Sequence, residues 1–369
     1  MALAELLAAL VLVAVSGNGL RGASALGASW TPISIGAGRN PLVVVCKLDV
    51  HTYQKDPSRM PMFKDLLRAS GCHGSFGNGR SKSVPLSVVK AAVTRDPGVS
   101  QPSGFIFHES RCGSTLAANM LAANEEHLVF SEASIVNDLL GRGDAGAELL
   151  RTVVAQMGRV PGIKRLFFKI SSAMVRSIPT FQLAFPSTPW IFIFRSPVEV
   201  MVSHIGNKMK RGKGLNPPCL RSRGYRDSGI VATLTQAHVS RSRWEEREMW
   251  CAAHLATLCS RAISAADRRS RHGPKLARAV FVEYANLVPQ MINYVVPRHF
   301  RTPLSAEQRA RMLAATQQYS KDRGGKRAWK SDSKAKVADA SSKLVAASKL
   351  LLEPIYAQLV RRVPRAPET

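Results

Sequence analysis

Arg111, Gly113, Ser114 and Thr115 stand together in HESRCGSTLAANML at 108–121, a polar turn between the apolar run GFIF at 104–107 and a helical pattern. At a strand-to-helix junction these residue types make a cradle for an anion. Backbone N–H groups and the helix dipole face the turn, the two hydroxyls add donors, and Arg111 adds charge. The turn is not a Walker A loop: the G-x-x-x-x-G-K-[ST] spacing is missing, no lysine precedes Ser114, and the cradle is too short to wrap a triphosphate. Read without its neighbours, the string is a capped helix with a solvated arginine. A second string, WIFIFRSPVEVMVSH at 190–204, puts Arg195 at the exit of an apolar run and Ser203 eight residues later. Between the two strings lie Glu132, in FSEAS, and Lys169, in FFKIS. Taken singly, the first is a helix-start carboxylate and the second a strand-end lysine.

Such side chains need a scaffold that brings them to one place. GFIF (104–107), RLFFKI (165–170), WIFIF (190–194) and RAVFVEY (278–284) are apolar without alternation, as strands buried on both faces are; PLVVVCKLDV (41–50) is a further strand. Helical patterns separate them. Leu116, Met120 and Leu121 share one face, and Trp244, Cys251, Leu255, Leu258 and Ala262 share the face of one longer helix. Alternating strands and helices predict an α/β fold with a parallel, doubly wound sheet and helices on both faces. Residues 71–83, 206–229 and 319–336 read as exposed loops, the last two basic, and a helical tail runs from about 337 to 362 with an interruption at Pro354.

Lys and Arg total 52 against 25 Asp and Glu, a net charge of +27 that points to an anionic partner. The N-terminus, MALAELLAALVLVAVSGNGLRGASALG, is apolar from Leu3 to Val15 apart from Glu5 and carries Ala23-Ser24-Ala25 as a cleavage signature. It reads as a secretory signal peptide or short signal-anchor, with an organellar transit peptide as the alternative. No N-x-S/T sequon occurs. The six cysteines include no C-x-x-C pair, which argues against a structural zinc site. Cys251 and Cys259 read as core packing, and a Cys46–Cys72 disulfide would suit an oxidising compartment.

Together the two strings resemble the sulfotransferases that use 3′-phosphoadenosine 5′-phosphosulfate. That family carries a strand–loop–helix of type R-S-G-[ST]-[ST] for the 5′-phosphosulfate, and an R-D-P-x-x-x-x-x-S element whose Arg and Ser hold the 3′-phosphate. Here these are Arg111-Cys112-Gly113-Ser114-Thr115 and Arg195-Ser196-Pro197 with Ser203. Cys112 replaces the usual Ser, which can cost one side-chain hydrogen bond, and Ser196 replaces the usual Asp. The spacing is nearest the tyrosylprotein, Golgi-type branch. There a glutamate base lies 21 residues after the loop arginine, the position of Glu132, and a lysine 26 residues before the 3′-phosphate arginine, the position of Lys169. The arginines that follow that glutamate are replaced by Ala133-Ser134-Ile135-Val136, so tyrosine is not carried over as acceptor. FVEYANLVPQ (281–290) resembles the family's Y-E-D-L segment, and YSKDRGGKRAWKSD (319–332) its late nucleotide-covering loop, which adds Ser320, Lys321 and Lys330.

The resemblance, spanning about 104–336, implies a P-loop-like phosphosulfate-binding fold. It also implies sulfuryl transfer, without metal, from that donor to a hydroxyl of a carbohydrate, tyrosine or metabolite, with an anionic acceptor suggested by the basic 206–229 loop. Glu132 would be the general base, Arg111 and Lys169 would stabilise the bridging and leaving oxygens, and Arg195 and Ser203 would hold the donor. His108 and His204 rank below Glu132, as structural rather than basic groups. The chain then divides into a leader (1–25), an N-terminal extension without an assigned role (26–100), a sulfotransferase-like α/β domain (101–336) and a C-terminal helical tail (337–369), with the Golgi lumen as the expected location. A P-loop kinase or ATPase would need a Walker lysine and a Mg²⁺-binding aspartate, neither of which is visible. A nucleic-acid-binding protein fits the charge, but its basic loops lack interleaved aromatics and no zinc, RRM or KH signature occurs. A non-catalytic, donor-binding relative is the third alternative.

Overall fold

The computed structural model describes residues 26–38, 40–72, 79–95, 101–140, 142, 144–206, 217–221, 227–268, 276–318, 320–324, 327–328, 330 and 332–364. The leader expected at 1–25 lies outside them, as do 207–216 and 222–226 of the first basic loop. Among the described residues no helix is long and apolar enough to cross a membrane.

Among the described residues, eight strands form two sheets. β1 (Trp30–Ile35), β2 (Leu42–Lys47) and β3 (Ser81–Pro85) pair antiparallel in sequence order. β4 (Gly104–His108), β5 (His127–Ser131), β6 (Arg165–Lys169), β7 (Trp190–Phe194) and β8 (Ala279–Glu283) form the central sheet in the order β5-β6-β4-β7-β8, every pair parallel. This is the expected α/β architecture, with helices on both faces. Phe167 and Phe168, adjacent in β6, point to opposite sides. Phe168 joins Phe105, whose ring centroid lies 4.7 Å from Phe181 of the helix Ile178–Ala184. Phe167 meets Phe300, 5.4 Å away, at the end of the π-helical turn Met291–His299. There Gly104 is required: a Cβ would come within 2.4 Å of the Phe300 ring.

The sheet order puts the first strand, β4, in the middle. β6 lies on one side of it and β7 on the other, so the loops leaving β4, β6 and β7 flank one crevice, the place where open α/β sheets bind ligands.

Several local expectations are corrected. β1 and β5 were not among the predicted strands. β5, HLVFS, is five residues long and opens on a histidine that is buried, so it offers no long apolar run. Trp244 belongs to a separate short helix, Arg241–Trp244, and the long helix restarts at Arg247–Asp267. Ser81–Ser83 leave the predicted loop to form β3. Both basic loops contain helices: Pro218–Arg221 and the start of Ser228–Gln236 in the first, Ser333–Ala338 in the second. Cys251 is not simply core packing, since it forms a disulfide with the buried Cys219 that pins the Pro218–Arg221 turn to the long helix; Cys46–Cys72 is the second disulfide. Cys259 remains a buried free thiol.

The extension also touches the part of the chain that carries the central sheet. β1 packs on the helices Ser134–Leu140 and Asp144–Met157. The helix Phe63–Ala69 carries Asp65, which forms a two-pronged salt bridge with Arg323 of the late loop at 2.9 and 3.0 Å. In the tail, Pro354 sits in the first turn of the helix Glu353–Val360, after Ser342–Leu351 has ended.

Candidate functional site

The loop from β4 into the helix Ser114–Ala122 is wound left-handed, with φ of 80° at Ser110, 55° at Arg111 and 89° at Gly113. Ser110 and Arg111 carry a Cβ, so this conformation costs about 1–3 kcal/mol at each and must be imposed by its surroundings. Those surroundings are visible. The Glu109 N–H donates to the Ile193 carbonyl at 3.2 Å and the Ser110 N–H to His108 Nδ1 at 3.0 Å, while the Cys112 thiol donates to the Ile193 carbonyl at 3.1 Å. The buried Glu109 carboxylate accepts the Arg195 N–H at 2.5 Å and the Cys259 thiol at 3.3 Å, which ties the first string directly to the second. Burial pushes the Glu109 carboxyl up to about 8. Gly113 is constrained twice: its φ is left-handed, and a Cβ would meet the Tyr284 ring at 2.5 Å.

Two cavities open on either side of this loop. The larger, of about 700 Å³, is bounded by Met62, Ser110, His108, Glu132, Arg176, His254 and Thr257, among others. The smaller, of about 290 Å³, is bounded by Gly113, Arg195, Ser203, Tyr284, Ser320, Lys330, Asp332 and Lys336. Arg111, Ser114, Thr115 and Lys321 line both, so the two spaces meet at the cradle.

Glu132 leaves β5 with φ of 56°, its N–H donating to the Lys169 carbonyl at 2.7 Å. Its side chain is 30% exposed into the larger cavity and ion-paired to Lys169, whose own side chain is 1% exposed. Lys169 thus stands behind the carboxylate and lines neither cavity. Burial alone would raise the Glu132 carboxyl, but the Lys169 ammonium, with Lys321 beyond it, outweighs burial and holds it below the ordinary carboxylate range.

In the smaller cavity the Arg195 guanidinium stacks on Tyr284, 4.1 Å from the ring centroid, and pairs with Glu199 and with Asp332, the latter at 3.0 Å. Ser203 donates to the Glu199 carbonyl one turn back at 2.8 Å. The late loop is docked by Asn119, which donates to the Ser320 carbonyl at 3.1 Å. Enclosure in the cleft, then the nearby Arg111 and Lys169 charges, pull the Lys321 ammonium down to about 8.

The structure therefore brings Arg111, Gly113, Ser114, Thr115, Glu132, Arg195, Ser203, Ser320, Lys321 and Lys330 to one crevice. Cys112 differs: its thiol is fully buried and bonded inward, leaving only its backbone at the cradle. His204 is buried with both ring nitrogens unpartnered and lines neither cavity, whereas His108 is in the wall of the larger one. Sequence reading missed Met62, Arg176, His254, Thr257 and Lys336. His254 and Thr257 did leave a signal, being polar residues three apart on a helix otherwise buried through Cys251, Leu255 and Leu258.

No family model matches the chain, and no curated protein does. Solved structures similar to it include the sulfotransferase STF9 of Mycobacterium avium, at 12% identity and a TM-score of 0.38 over 76% of this chain and 83% of that one. A sulfotransferase domain from the curacin biosynthetic pathway is similar at 15% identity and a TM-score of 0.37, over 72% of this chain and 99% of that domain. A sulfotransferase domain from the olefin synthase of Synechococcus PCC 7002 is similar at 12% identity and 0.35, over 71% and 94%.

Proposed function

We propose that the chain is a sulfotransferase that moves a sulfuryl group from 3′-phosphoadenosine 5′-phosphosulfate to an acceptor hydroxyl. The observation that carries this reading is the meeting of two cavities at one anion cradle, with a carboxylate base in one and a cationic wall in the other. Among the described residues the smaller cavity is lined by Arg111, Arg195, Lys321, Lys330 and Lys336 with Asp332 as the carboxylate in the lining and Glu199 paired to Arg195 behind it, a surplus of positive charge that suits a ligand bearing several negative charges. Arg195 and Ser203 would hold its 3′-phosphate, and the cradle with Arg111 and Lys321 its phosphosulfate; the donor itself supplies the activated S–O bond. In-line sulfuryl transfer asks the protein mainly to position groups and balance charge. Glu132 would receive the acceptor proton, and Lys169, fixed behind it, would keep the carboxylate ionised and aimed.

The spacing of Glu132 and Lys169 supports a site of the tyrosylprotein, Golgi-type pattern. Arg176 in the larger cavity favours an acceptor with an anionic group beside its hydroxyl. Two disulfides favour maturation in an oxidising compartment, with residues 1–25 as the leader. Calorimetric titration with 3′-phosphoadenosine 5′-phosphate in EDTA tests the reading. Wild type is expected to bind, and Arg195→Ala to lose at least about 100-fold in affinity, as removal of a buried charged partner does. A folded wild type that binds no bisphosphate would sink the proposal.

A further inference from the structure

His108 ends β4 with its ring in the wall of the larger cavity and only 5% of its side chain exposed. Nδ1 accepts the Ser110 N–H at 3.0 Å. A ring nitrogen that accepts carries no proton, so the neutral imidazole is protonated at Nε2. Burial, with Lys169 and Lys321 beside it, pushes the ring down to about 3, which keeps it neutral under physiological conditions. The Nε2–H is buried and makes no hydrogen bond of full geometry; the Ile170 backbone is near enough to favour its proton, and Glu132 Oε1 is 3.8 Å away. That separation is too long for a direct bond. It does suit a shared third atom, because one oxygen can sit at about 2.8 Å from both groups with its two hydrogen bonds close to a right angle.

We propose that His108 is a further catalytic residue, whose Nε2–H holds the acceptor oxygen while Glu132 takes that oxygen's proton. The inference rests on the sulfotransferase reading. The acceptor oxygen uses one lone pair on His108 and its proton on Glu132, which leaves the other lone pair to form the new O–S bond. The S–O bond to the donor's 5′-phosphate breaks, its electron pair remains on that phosphate oxygen, and the acceptor proton ends on Glu132. His108 keeps its proton throughout. Through Nδ1 the same ring fixes the left-handed Ser110 peptide, so it ties the acceptor oxygen to the cradle.

Water can serve as the acceptor, so the test is single-turnover release of 3′-phosphoadenosine 5′-phosphate from the phosphosulfate donor, in water and with millimolar phenol. His108→Asn keeps an acceptor for the Ser110 N–H but loses the donor. It is expected to bind the bisphosphate within about twofold of wild type and to release it about 10–100-fold more slowly, with donor KM unchanged. His108→Gln, which can return an N–H toward the Nε2 position, is expected to recover part of that loss. In ¹⁵N-histidine spectra His108 is expected as the Nε2–H tautomer, without titration between pH 5 and 8. Wild-type release rates in His108→Asn, an Nδ1–H tautomer, or a wild type that binds the bisphosphate but turns over no donor would each overturn the role of His108. Failure of the bisphosphate to bind folded wild type would instead overturn the sulfotransferase reading, and this inference with it.

Discussion

Glu132 is held ionised by a buried lysine, and that arrangement sets how the rate should respond to pH. A base whose carboxyl lies below the ordinary range stays competent until the medium is more acidic than that range. Donor turnover is therefore expected to be flat from pH 7 to about 5 and to fall only below. Glu132→Gln should lower turnover about 10²–10⁴-fold and remove the acid limb, while Lys169→Met should move that limb upward, because the largest charge opposing burial of the carboxyl is then gone and the weaker Lys321 is left. Turnover measured across pH in the three proteins checks this; an acid limb unchanged in Lys169→Met would contradict it. At this scale much was legible. Arg111, Ser114, Thr115, Glu132, Arg195 and Ser203 could be picked out because side-chain type and offset along the chain are properties of the sequence. The inward turn of the Cys112 thiol and the concealment of Lys169 behind Glu132 were not legible, because both depend on which face of a strand or loop a neighbouring element covers.

The N-terminal extension matched nothing at the level of residues, yet its helix Phe63–Ala69 supplies Met62 next to the larger cavity and anchors the late loop through Asp65. Asp65 is buried and bound by both prongs of Arg323, two residues from Lys321, so the pair fixes where Lys321 enters the crevice. Asp65→Asn keeps shape but removes the charge. It is expected to weaken bisphosphate binding about 3–10-fold through displacement of Lys321, a loss read by calorimetry; unchanged affinity would mean that the Asn119 and Arg195–Asp332 contacts hold the loop without this pair. Elements with continuous apolar runs, β4, β6, β7 and β8, could be read from sequence since their burial on both faces leaves no alternation to misread. β5 could not, and neither could the extension's contribution, which is made by contacts between positions 258 apart in the chain.

Among the described residues, three buried histidines and the half-buried His254 weigh most on the acid stability, and His299 is lowered as well. His108 and His204 are pushed down to about 3, and His127 and His254 to about 4, in each case chiefly by burial. Each takes up a proton on unfolding between about pH 6.5 and its folded value. Stability therefore falls with pH through that window, by up to about 1.4 kcal/mol per unit for each group. Glu109 opposes them, since its raised carboxyl favours the folded state as pH falls from about 8 toward 4.5. Four groups outweigh one, and Tm is expected to drop by roughly 5–15 °C between pH 7 and pH 5. A thermal melt series reads this, and a constant Tm would show that the histidines titrate normally in the folded chain. The two cavities carry a consequence for inhibitor chemistry as well. Among the described residues they share Arg111, Ser114, Thr115 and Lys321 as a common wall, the seam along which a short tether would run. An adenosine bisphosphate linked through such a tether to an alcohol or phenol would fill both spaces as one molecule. It would lose its translational freedom once instead of twice, and the second half would bind at the millimolar effective concentration set by the tether.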